Sequence, residues 1–190
     1  MDNIAAVSEV HGGQRQFGAG SGLVKVKKID LPSMPEKERG ELLNSLWKKL
    51  ETQDYAFDDF SRGNPQAFVL NITDMASAHF LVDDSGYVVV RNLFAGSDAN
   101  IHFVCWDRHY PHKNVIEAGR QIMEWLYKSE HVNRVSAYVP KYNLLAARFT
   151  TSMGFKYEGT LRKAVKFHDE YHDVDIYGLL EREFDRRFTQ

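Results

Sequence analysis

A strand–helix–strand pattern in the middle of the chain constrains the fold more than any other feature of the sequence. Apolar residues alternate over residues 101–106, which predicts a strand, and recur at helical spacing over residues 115–127. Residues 134–139 alternate again, which predicts a second strand. A helix between two strands of one sheet favours a right-handed parallel crossover. The sequence therefore predicts an α/β (mixed α+β) fold around a mixed sheet.

Hairpin patterns on both sides of this unit predict that the rest of the sheet is mostly antiparallel. Residues 78–82 and 87–94 flank a short turn, and residues 156–167 and 174–180 are predicted to form a closing antiparallel pair. An earlier strand is predicted over residues 23–29. We therefore expect a central sheet of about six or seven strands.

The helical segments carry signals at their ends. Ser33 and Glu36 have the spacing of a capping box, and an amphipathic helix is predicted to follow them. Residues 143–153 predict a helix that stops at a glycine. Residues 55–75 give no clear pattern, although 66–73 fit either a short helix or a strand. About four helices are expected to flank the sheet.

Composition limits the domain count and the class of partner. The 190 residues suit one domain, with residues 1–22, rich in Gly, Ser, Ala and Gln, as a flexible leader and residues 23–190 as the folded part. The net charge of -2 lacks the basic surplus that phosphate contacts require, so we expect no nucleic-acid partner. The single Cys105 fits a reducing compartment. No signal peptide and no apolar run of about 18 residues is seen, so a cytoplasmic protein without a membrane partner is expected.

Ordered motifs in the C-terminal half carry a resemblance to a known family. Residues 143–155 contain an Asn-x-x-Ala-x-x-aromatic segment that ends in Gly-Phe, and Glu158-Gly-Thr-Leu-Arg162 follows it. An Asp-Val-x-x-Tyr pattern then runs from Asp173 to Tyr177. In this order the motifs resemble the GCN5-related N-acetyltransferase (GNAT) superfamily, and within it the branch that acetylates the N-termini of ribosomal proteins.

Two upstream segments extend the resemblance. Glu117-Ala118 stands where that branch has Glu-Ala at the start of its cofactor helix. Residues 99–102 together with 106–108 are similar to small acetyltransferase-like proteins carried by tailed bacteriophages.

The resemblance implies an N-acetyltransferase that uses acetyl-CoA as acyl donor and acts on a protein or small-molecule amine. A second hypothesis keeps the fold without the chemistry: a catalytically silent binding or structural module, for example phage-encoded and acting on a host or virion partner. Departures from the family's loop glycines and from its catalytic tyrosine favour this second hypothesis. A third hypothesis, an acyltransferase that uses aminoacyl-tRNA, is disfavoured because the chain has no basic surplus.

The helix predicted to open at Val115 is the candidate site for the cofactor's pyrophosphate. A helix N-terminus offers free N–H groups and a partial positive charge, and Arg108, His112 and Lys113 precede it. Where the family loop has Gln or Arg and two small residues, the alignment places Tyr110, Lys113 and Val115. Side chains at the glycine positions crowd the approach of a phosphate to the backbone.

Asn114 gives this helix a competing interpretation. With Glu117 three residues later, Asn114 as N-cap would form a capping box and satisfy the orphan N–H groups within the protein. Fewer donors would then be left for an anion. In the other interpretation, Asn114 belongs to the cofactor site.

The resemblance also implies where the pantetheine arm of the cofactor lies. In this fold the arm pairs with backbone groups at the end of the strand before the cofactor helix, which here is Val104, Cys105 and Trp106. The Cys105 side chain is expected to be a small buried hydrophobe with no covalent role. Asn143 matches the family's Asn beside the pantetheine, and it also fits a helix N-cap.

Acyl transfer to an amine needs a proton acceptor for the amine and a donor for the departing thiolate. Thr150 stands where many relatives have the tyrosine that serves the thiolate, although its hydroxyl is equally suited to a bond within the helix. His102 and Asp107 flank the central strand and are the candidate bases. A core or surface position is the alternative for His102.

Two other segments attract a functional interpretation that the sequence does not favour. Acidic and aromatic residues in 55–68, including Asp58 and Asp59, could attract a cationic amine, but an ordinary loop is the preferred interpretation. The run 168–173 holds His and Asp residues, and a solvated turn is preferred to a metal site there.

Overall fold

A mixed sheet forms the centre of the protein in the computed structural model, which describes residues 16–17, 24–72, 76–93 and 96–188. Eight strands lie within these residues in the order β1-β2-β3-β4-β5-β6-β8-β7. They are β1 Gln16–Phe17, β2 Val26–Ile29, β3 Ala78–Val82, β4 Gly86–Arg91, β5 Asp98–Cys105, β6 Arg134–Pro140, β7 Lys156–Phe167 and β8 Glu170–Leu180.

Helices cover both faces of this sheet. Those in the described part of the chain are α1 Glu36–Leu50, α2 Pro65–Ile72, α3 His112–Ser129, α4 Leu144–Met153 and α5 Glu181–Phe188. Strands β5 and β6 are parallel and are joined through α3, while the other neighbouring pairs are antiparallel. The predicted fold class, a mostly antiparallel mixed sheet with flanking helices, is confirmed.

The alternation of side chains along β4 and β5 divides the core into two layers. On one face, Val88, Val90 and Ile101 pack with the buried stripe of α3 and with Phe184 of α5. On the other face, Tyr87 and Val89 pack with α1 and α2, which contribute Leu46, Leu50, Phe68 and Ile72. Because successive strand residues point to opposite faces, each strand serves both layers.

Several predicted details differ from the structure. Residues 66–72 of the ambiguous segment lie in helix α2, and the predicted third strand begins earlier, at Asp98. The capping box at Ser33 and Glu36 is wrong, because α1 begins at Glu36 with Pro35 as N-cap and without a side-chain cap. Within the predicted leader, Gln16–Phe17 pairs with β2, and the other leader residues lie outside the described part of the chain.

Helix α5 is absent from the sequence prediction, although its charges carry a signal. Acidic residues occupy its first turn and Arg186 and Arg187 its last turn, which complements the helix dipole. Phe184 and Phe188 are four residues apart, so both contact the core layer that holds α3. The high charge of the segment hides this short apolar stripe.

A polar cluster formed by Asp98, Arg134, Ser136 and Glu158 joins strands β5, β6 and β7 at one end of the sheet. The Ser136 hydroxyl donates to the Asp98 carboxylate at 2.8 Å, which joins β5 to β6. The Arg134 guanidinium forms a bidentate ion pair with Glu158 on β7, across β8. Gly178 of β8 lies beneath this ion pair, where a Cβ would stand 2.5 Å from Glu158 Oε1.

We expect Ser136→Ala to lower the free energy of unfolding by about 1–2 kcal/mol, because a buried hydrogen-bonding group is lost. Ser136 is 1% exposed and its hydroxyl also accepts from Arg134 Nε at 3.1 Å. Urea unfolding measures the change. Ser129→Ala, at the exposed end of α3, is the control and should stay within about 0.5 kcal/mol of the parent protein. Equal losses in both variants would contradict a stabilising role for the polar cluster.

Candidate functional site

Strands β5 and β6 separate after a short parallel contact, and we call the opening between them the splay. Their register covers Asp98–Asn100 on β5 and Arg134–Ser136 on β6. Beyond it, β5 continues to Cys105 alongside β4, and β6 continues to Pro140 alongside β8. No strand among the described residues pairs with β5 across the splay beyond this register, so an extended amide chain could pair with the backbone groups there.

The loop that follows β5 leads into helix α3, so the N-terminus of α3 lies beside this opening. The helix begins at His112 with Pro111 as N-cap, and no side chain caps it. The amides of Asn114 and Val115 donate to Pro111 O at 2.8 Å and 3.2 Å. The first N–H groups of a helix have no carbonyl partner within it. They and the positive end of the helix dipole therefore point toward the loop before α3.

The alternative capping box at this helix is wrong. Asn114 lies inside the first turn instead of before it, and Glu117 bonds Arg120 and Gln121. These bonds hold the pKa of Glu117 below its usual range, chiefly through Arg120. The side chain that was expected to satisfy the helix N–H groups is therefore engaged one turn further along.

Three cationic or titratable side chains of the predicted anion site are exposed around this terminus: Arg108, His112 and Lys113. Tyr110, which stands at the family's Gln or Arg position, points elsewhere. Its hydroxyl donates to Asp83 Oδ2 at 2.5 Å, and burial together with this carboxylate raises the pKa of Tyr110. The bond fixes the loop against the β3–β4 turn.

The three residues expected to contact the pantetheine have different backbone environments. Trp106 donates its backbone N–H to Ser85 O at 3.0 Å, and Val104 is paired with Tyr87 of β4. Cys105 O accepts from the Tyr55 hydroxyl at 2.8 Å. Alternation along an antiparallel pair directs the backbone of Cys105 away from β4 and toward the splay.

The Cys105 thiol has no sign of activation. Its Sγ lies 3.4 Å from Asp107 O, and burial raises the pKa of the thiol. Since the thiolate is the reactive form, a raised pKa disfavours a covalent role. Asp107 itself accepts from the His109 backbone N–H at 2.9 Å and lies exposed in the loop.

Helix α4 approaches the splay because Gly119 of α3 leaves room for it. A Cβ at Gly119 would stand 3.0 Å from Met153 Sδ and 3.1 Å from the Phe149 ring. Phe149 in turn packs on Phe103 of β5, with ring centroids 5.1 Å apart. Gly154 ends α4 with a φ of 92°, in the left-handed region that favours glycine.

Asn143 and Thr150 occupy defined positions on this helix. Asn143 is the N-cap, and its Oδ1 accepts from the Ala146 N–H at 3.0 Å. Thr150 is 4% exposed, and its hydroxyl donates to Ala146 O at 2.8 Å. A hydroxyl in this bond must rotate before it can donate to a leaving thiolate.

A cavity of about 140 Å³ lies on the opposite face of β4 and β5, beneath α1 and α2. Val89 pairs with His102 and Tyr87 with Val104, so these four side chains share the face that forms its floor. The described residues that line the cavity are Leu50, Ala56, Phe57, Ser61, Phe68, Ile72, Tyr87, Val89, Arg91, His102 and Val104.

His102 faces this cavity and not the α3 layer of the core. The His102 side chain is exposed and lines the cavity. Desolvation, with a smaller effect from the Arg91 charge, lowers the pKa of His102 to about 4. The lowered pKa keeps His102 neutral at pH 7, so that one ring nitrogen is able to accept a hydrogen bond or a proton.

A buried hydrogen-bonded chain supports the cavity floor from β3. His79 is 3% exposed, with Nδ1 at 2.6 Å from the Tyr87 hydroxyl and Nε2 at 2.8 Å from Ser77 Oγ. The His79 and Tyr87 rings are stacked, with centroids 6.1 Å apart. Burial lowers the pKa of His79 to about 4 and raises the pKa of Tyr87.

The acidic residues of segment 55–68 are engaged with protein groups. Asp58 Oδ1 accepts from the Ser61 hydroxyl at 2.5 Å. The Asp59 carboxylate accepts from the His168 and Asp169 backbone N–H groups, each at 2.9 Å. These two bonds hold the tip of the β7–β8 hairpin on the loop between α1 and α2.

The His-containing run 168–173 takes part in this contact. His168 and Asp169 have φ values of 51° and 63°, which form a tight hairpin turn. His168 Nε2 lies 2.9 Å from Asp54 Oδ2, and Arg62 bonds Asp54 at 3.0 Å. Within the described residues, no group of three or more His, Cys, Asp or Glu is arranged to hold a metal ion.

Sequence reasoning missed Arg91 and the His79–Tyr87 pair. Tyr87, Val89 and Arg91 alternate along β4, so the period of two already placed them on one face. The antiparallel register with β5, which brings that face against His102, was needed to make them neighbours. Tyr55, whose hydroxyl reaches Cys105 O, lies 50 positions away in sequence and carried no signal.

Comparison with known proteins supports the fold. No protein-family model matches the sequence, and no curated protein matches it. A solved structure of a probable GNAT-family acetyltransferase from Chromobacterium violaceum aligns with a TM-score of 0.64 and 20% identity, over 97% of this chain and 100% of that one. Mutant forms of the spermidine/spermine N-acetyltransferase SpeG from Vibrio cholerae align with a TM-score of 0.64 and 15% identity, over 86% and 97%.

A third structure, of a probable acetyltransferase, aligns with a TM-score of 0.59 and 19% identity over 84% of this chain. The protein therefore has the GNAT acetyltransferase fold, as its C-terminal motifs indicated. No helix of the described chain is long and apolar enough to span a membrane.

The buried His79 should make stability depend on pH. A histidine pKa near 4 in the folded protein lies below the unfolded value, so the unfolded chain binds more protons between about pH 4 and 6.5. The contribution of neutral His79 to the free energy of unfolding is therefore lost as pH falls through that window. Between pH 7 and pH 5 the parent protein should lose about 1–2 kcal/mol more than His79→Gln.

Urea unfolding of both proteins at the two pH values measures this difference. His102 is present in both, so the comparison isolates His79. The same pH dependence in both proteins would show that His79 titrates normally in the folded state.

Proposed function

We propose that the protein is an acetyl-CoA-dependent N-acetyltransferase. The observation that carries the proposal is the splay between β5 and β6, which opens beside an N-terminus of α3 that lacks a side-chain cap. An extended pantetheine arm can pair with a strand edge, and a pyrophosphate can be bound at a helix N-terminus. The likeness to acetyltransferase structures supports the same activity.

Residues on three elements would hold the cofactor. The pyrophosphate would accept from the first amides of α3, with charge supplied by Arg108 and Lys113. The pantetheine amides would pair with the β5 edge at Cys105, where the Tyr55 hydroxyl already bonds the carbonyl. Phe103 and Phe149 would form an apolar wall beside the arm.

The acceptor amine would enter from the cavity on the other face of β5. Its nitrogen lone pair attacks the thioester carbonyl carbon, a C–N bond forms, and the C–S bond breaks in the collapse of the tetrahedral intermediate. The nitrogen loses a proton, for which neutral His102 is the acceptor facing the cavity, directly or through water. The departing CoA sulfur takes up a proton. Thr150, at the position of the family's tyrosine, is the candidate donor of that proton.

The competing function is a module that kept the fold and lost the cofactor. The side chains of Lys113 and Val115 at the family's glycine positions favour it, as does the buried hydroxyl of Thr150. Direct measurement of acetyl-CoA binding by calorimetry separates the two functions. Affinity at about 1–100 μM supports the enzyme, and no binding at millimolar ligand supports the module.

Val115→Glu should weaken acetyl-CoA binding at least tenfold, because it places a carboxylate at the proposed pyrophosphate site. The same charge favours the helix dipole, so the fold should be retained. Calorimetry with acetyl-CoA, desulfo-CoA and ADP measures the loss. Ser45→Glu, on an exposed position of α1, makes the same charge change on the other face and should bind normally. Normal binding by Val115→Glu would show that the pyrophosphate lies elsewhere.

Thr150→Val should lower kcat about tenfold or more if the hydroxyl serves the thiolate, while the affinity for acetyl-CoA is unchanged. Thr150→Ser keeps the hydroxyl and should retain most of the rate. Release of CoA thiol in steady state gives kcat for the three proteins. An unchanged kcat in Thr150→Val would limit Thr150 to its bond with Ala146 O.

A further inference from the structure

The cavity beneath α1 and α2 has a mostly apolar lining that includes one arginine. Most of its wall is apolar or aromatic, including the buried side chains of Leu50, Phe57, Phe68, Ile72 and Tyr87. Burial of apolar surface on binding is favourable. A ligand with an apolar side chain would be stabilised here, while the methylene and ammonium pattern of a polyamine would bring charge against this wall.

The charge of the lining is positive. Arg91 is the charged residue among the described residues that line the cavity, and none of these carries a carboxylate. Its charge reaches the two histidines of the region, since it contributes to the lowered pKa values of His79 and His102. The nearby acids Asp58 and Asp59 are directed to Ser61 and to the hairpin tip.

A guanidinium has five N–H donors in a planar fork, so it can bind a ligand carboxylate in addition to a protein group. Arg91 follows Val89 by two positions on β4, which places it at the end of the same face that carries His102 on β5. A ligand that spans this face would therefore meet a cation at one point and a neutral hydrogen-bond acceptor at a neighbouring one.

The size of the cavity limits the apolar group. It measures about 140 Å³, close to the roughly 150 Å³ of an engineered protein cavity that binds benzene. One aromatic ring or one branched aliphatic side chain fits such a space.

We propose that the acceptor is a free α-amino acid with an apolar side chain: the side chain fills the cavity, Arg91 binds the carboxylate, and the α-amine is held at His102 facing the thioester. The assignment rests on the proposed acetyltransferase function and extends it to a substrate class. The amine is acetylated by the transfer step given above, with CoA thiol as the second product. The class differs from the polyamines named for the SpeG structures.

The test measures CoA thiol release with phenylalanine, leucine, phenethylamine and spermidine as acceptors. Phenylalanine should exceed phenethylamine, which lacks only the carboxylate, by at least tenfold in kcat/KM. Arg91→Gln should raise the KM for phenylalanine at least tenfold and change the kcat/KM for phenethylamine less than threefold. Arg186→Gln, on exposed α5, removes an arginine from the other face of the sheet and should leave both substrates unaffected.

The outcomes distinguish this assignment from the proposed function. Turnover of spermidine or phenethylamine at least equal to that of phenylalanine would overturn the amino-acid acceptor and leave the acetyltransferase standing. Ligand-observed NMR of phenylalanine with the parent protein and with Arg91→Gln measures binding in the absence of acetyl transfer. Binding that depends on Arg91 supports the amino-acid site, and failure of acetyl-CoA to bind would then overturn the proposed function instead. Binding unaffected by Arg91→Gln overturns the assignment.

Discussion

The separation of β5 from β6 is the constraint on which the rest of the structure depends. Each strand keeps an antiparallel partner along its length, β4 for β5 and β8 for β6, while their mutual parallel contact ends at Asn100 and Ser136. The polar cluster at Asp98 and Arg134 closes one end of the splay. Within the described part of the chain, the β5 edge that faces the splay has no strand partner beyond Asn100, and backbone groups in such a place require another hydrogen-bond partner.

Strand β5 borders both candidate sites, because its edge and its face are chemically different. Its edge at Cys105 borders the splay and the N-terminus of α3, whereas its face carries His102 and Val104 into the cavity under α1 and α2. Donor and acceptor would therefore reach the reaction from opposite sides of one strand. The hairpin tip held by Asp59 supports the loop that covers the cavity.

The departures from the family pattern have structural counterparts. Tyr110, at the family's Gln or Arg position, bonds Asp83 and so fixes the loop against the β3–β4 turn. Thr150 is buried, and its hydroxyl bonds a carbonyl of its own helix instead of facing the splay as a free donor. The N-terminus of α3, in contrast, is more open than the capping-box alternative allowed, because Glu117 bonds Arg120.

The sequence by itself determined strands β2 to β8, helices α1, α3 and α4, the mixed sheet and the motifs of residues 143–177, because these depend on local periodicity and on residues close in the chain. It left segment 66–73 ambiguous and did not predict α5. It also placed Asn143 as an N-cap and Gly154 as a helix stop. Only the tertiary structure decided the cavity and the direction of His102, because they depend on register between strands. Arg91 meets His102 through the β4–β5 pairing, and Tyr55 meets Cys105 across 50 positions of sequence, so no local pattern could have joined them.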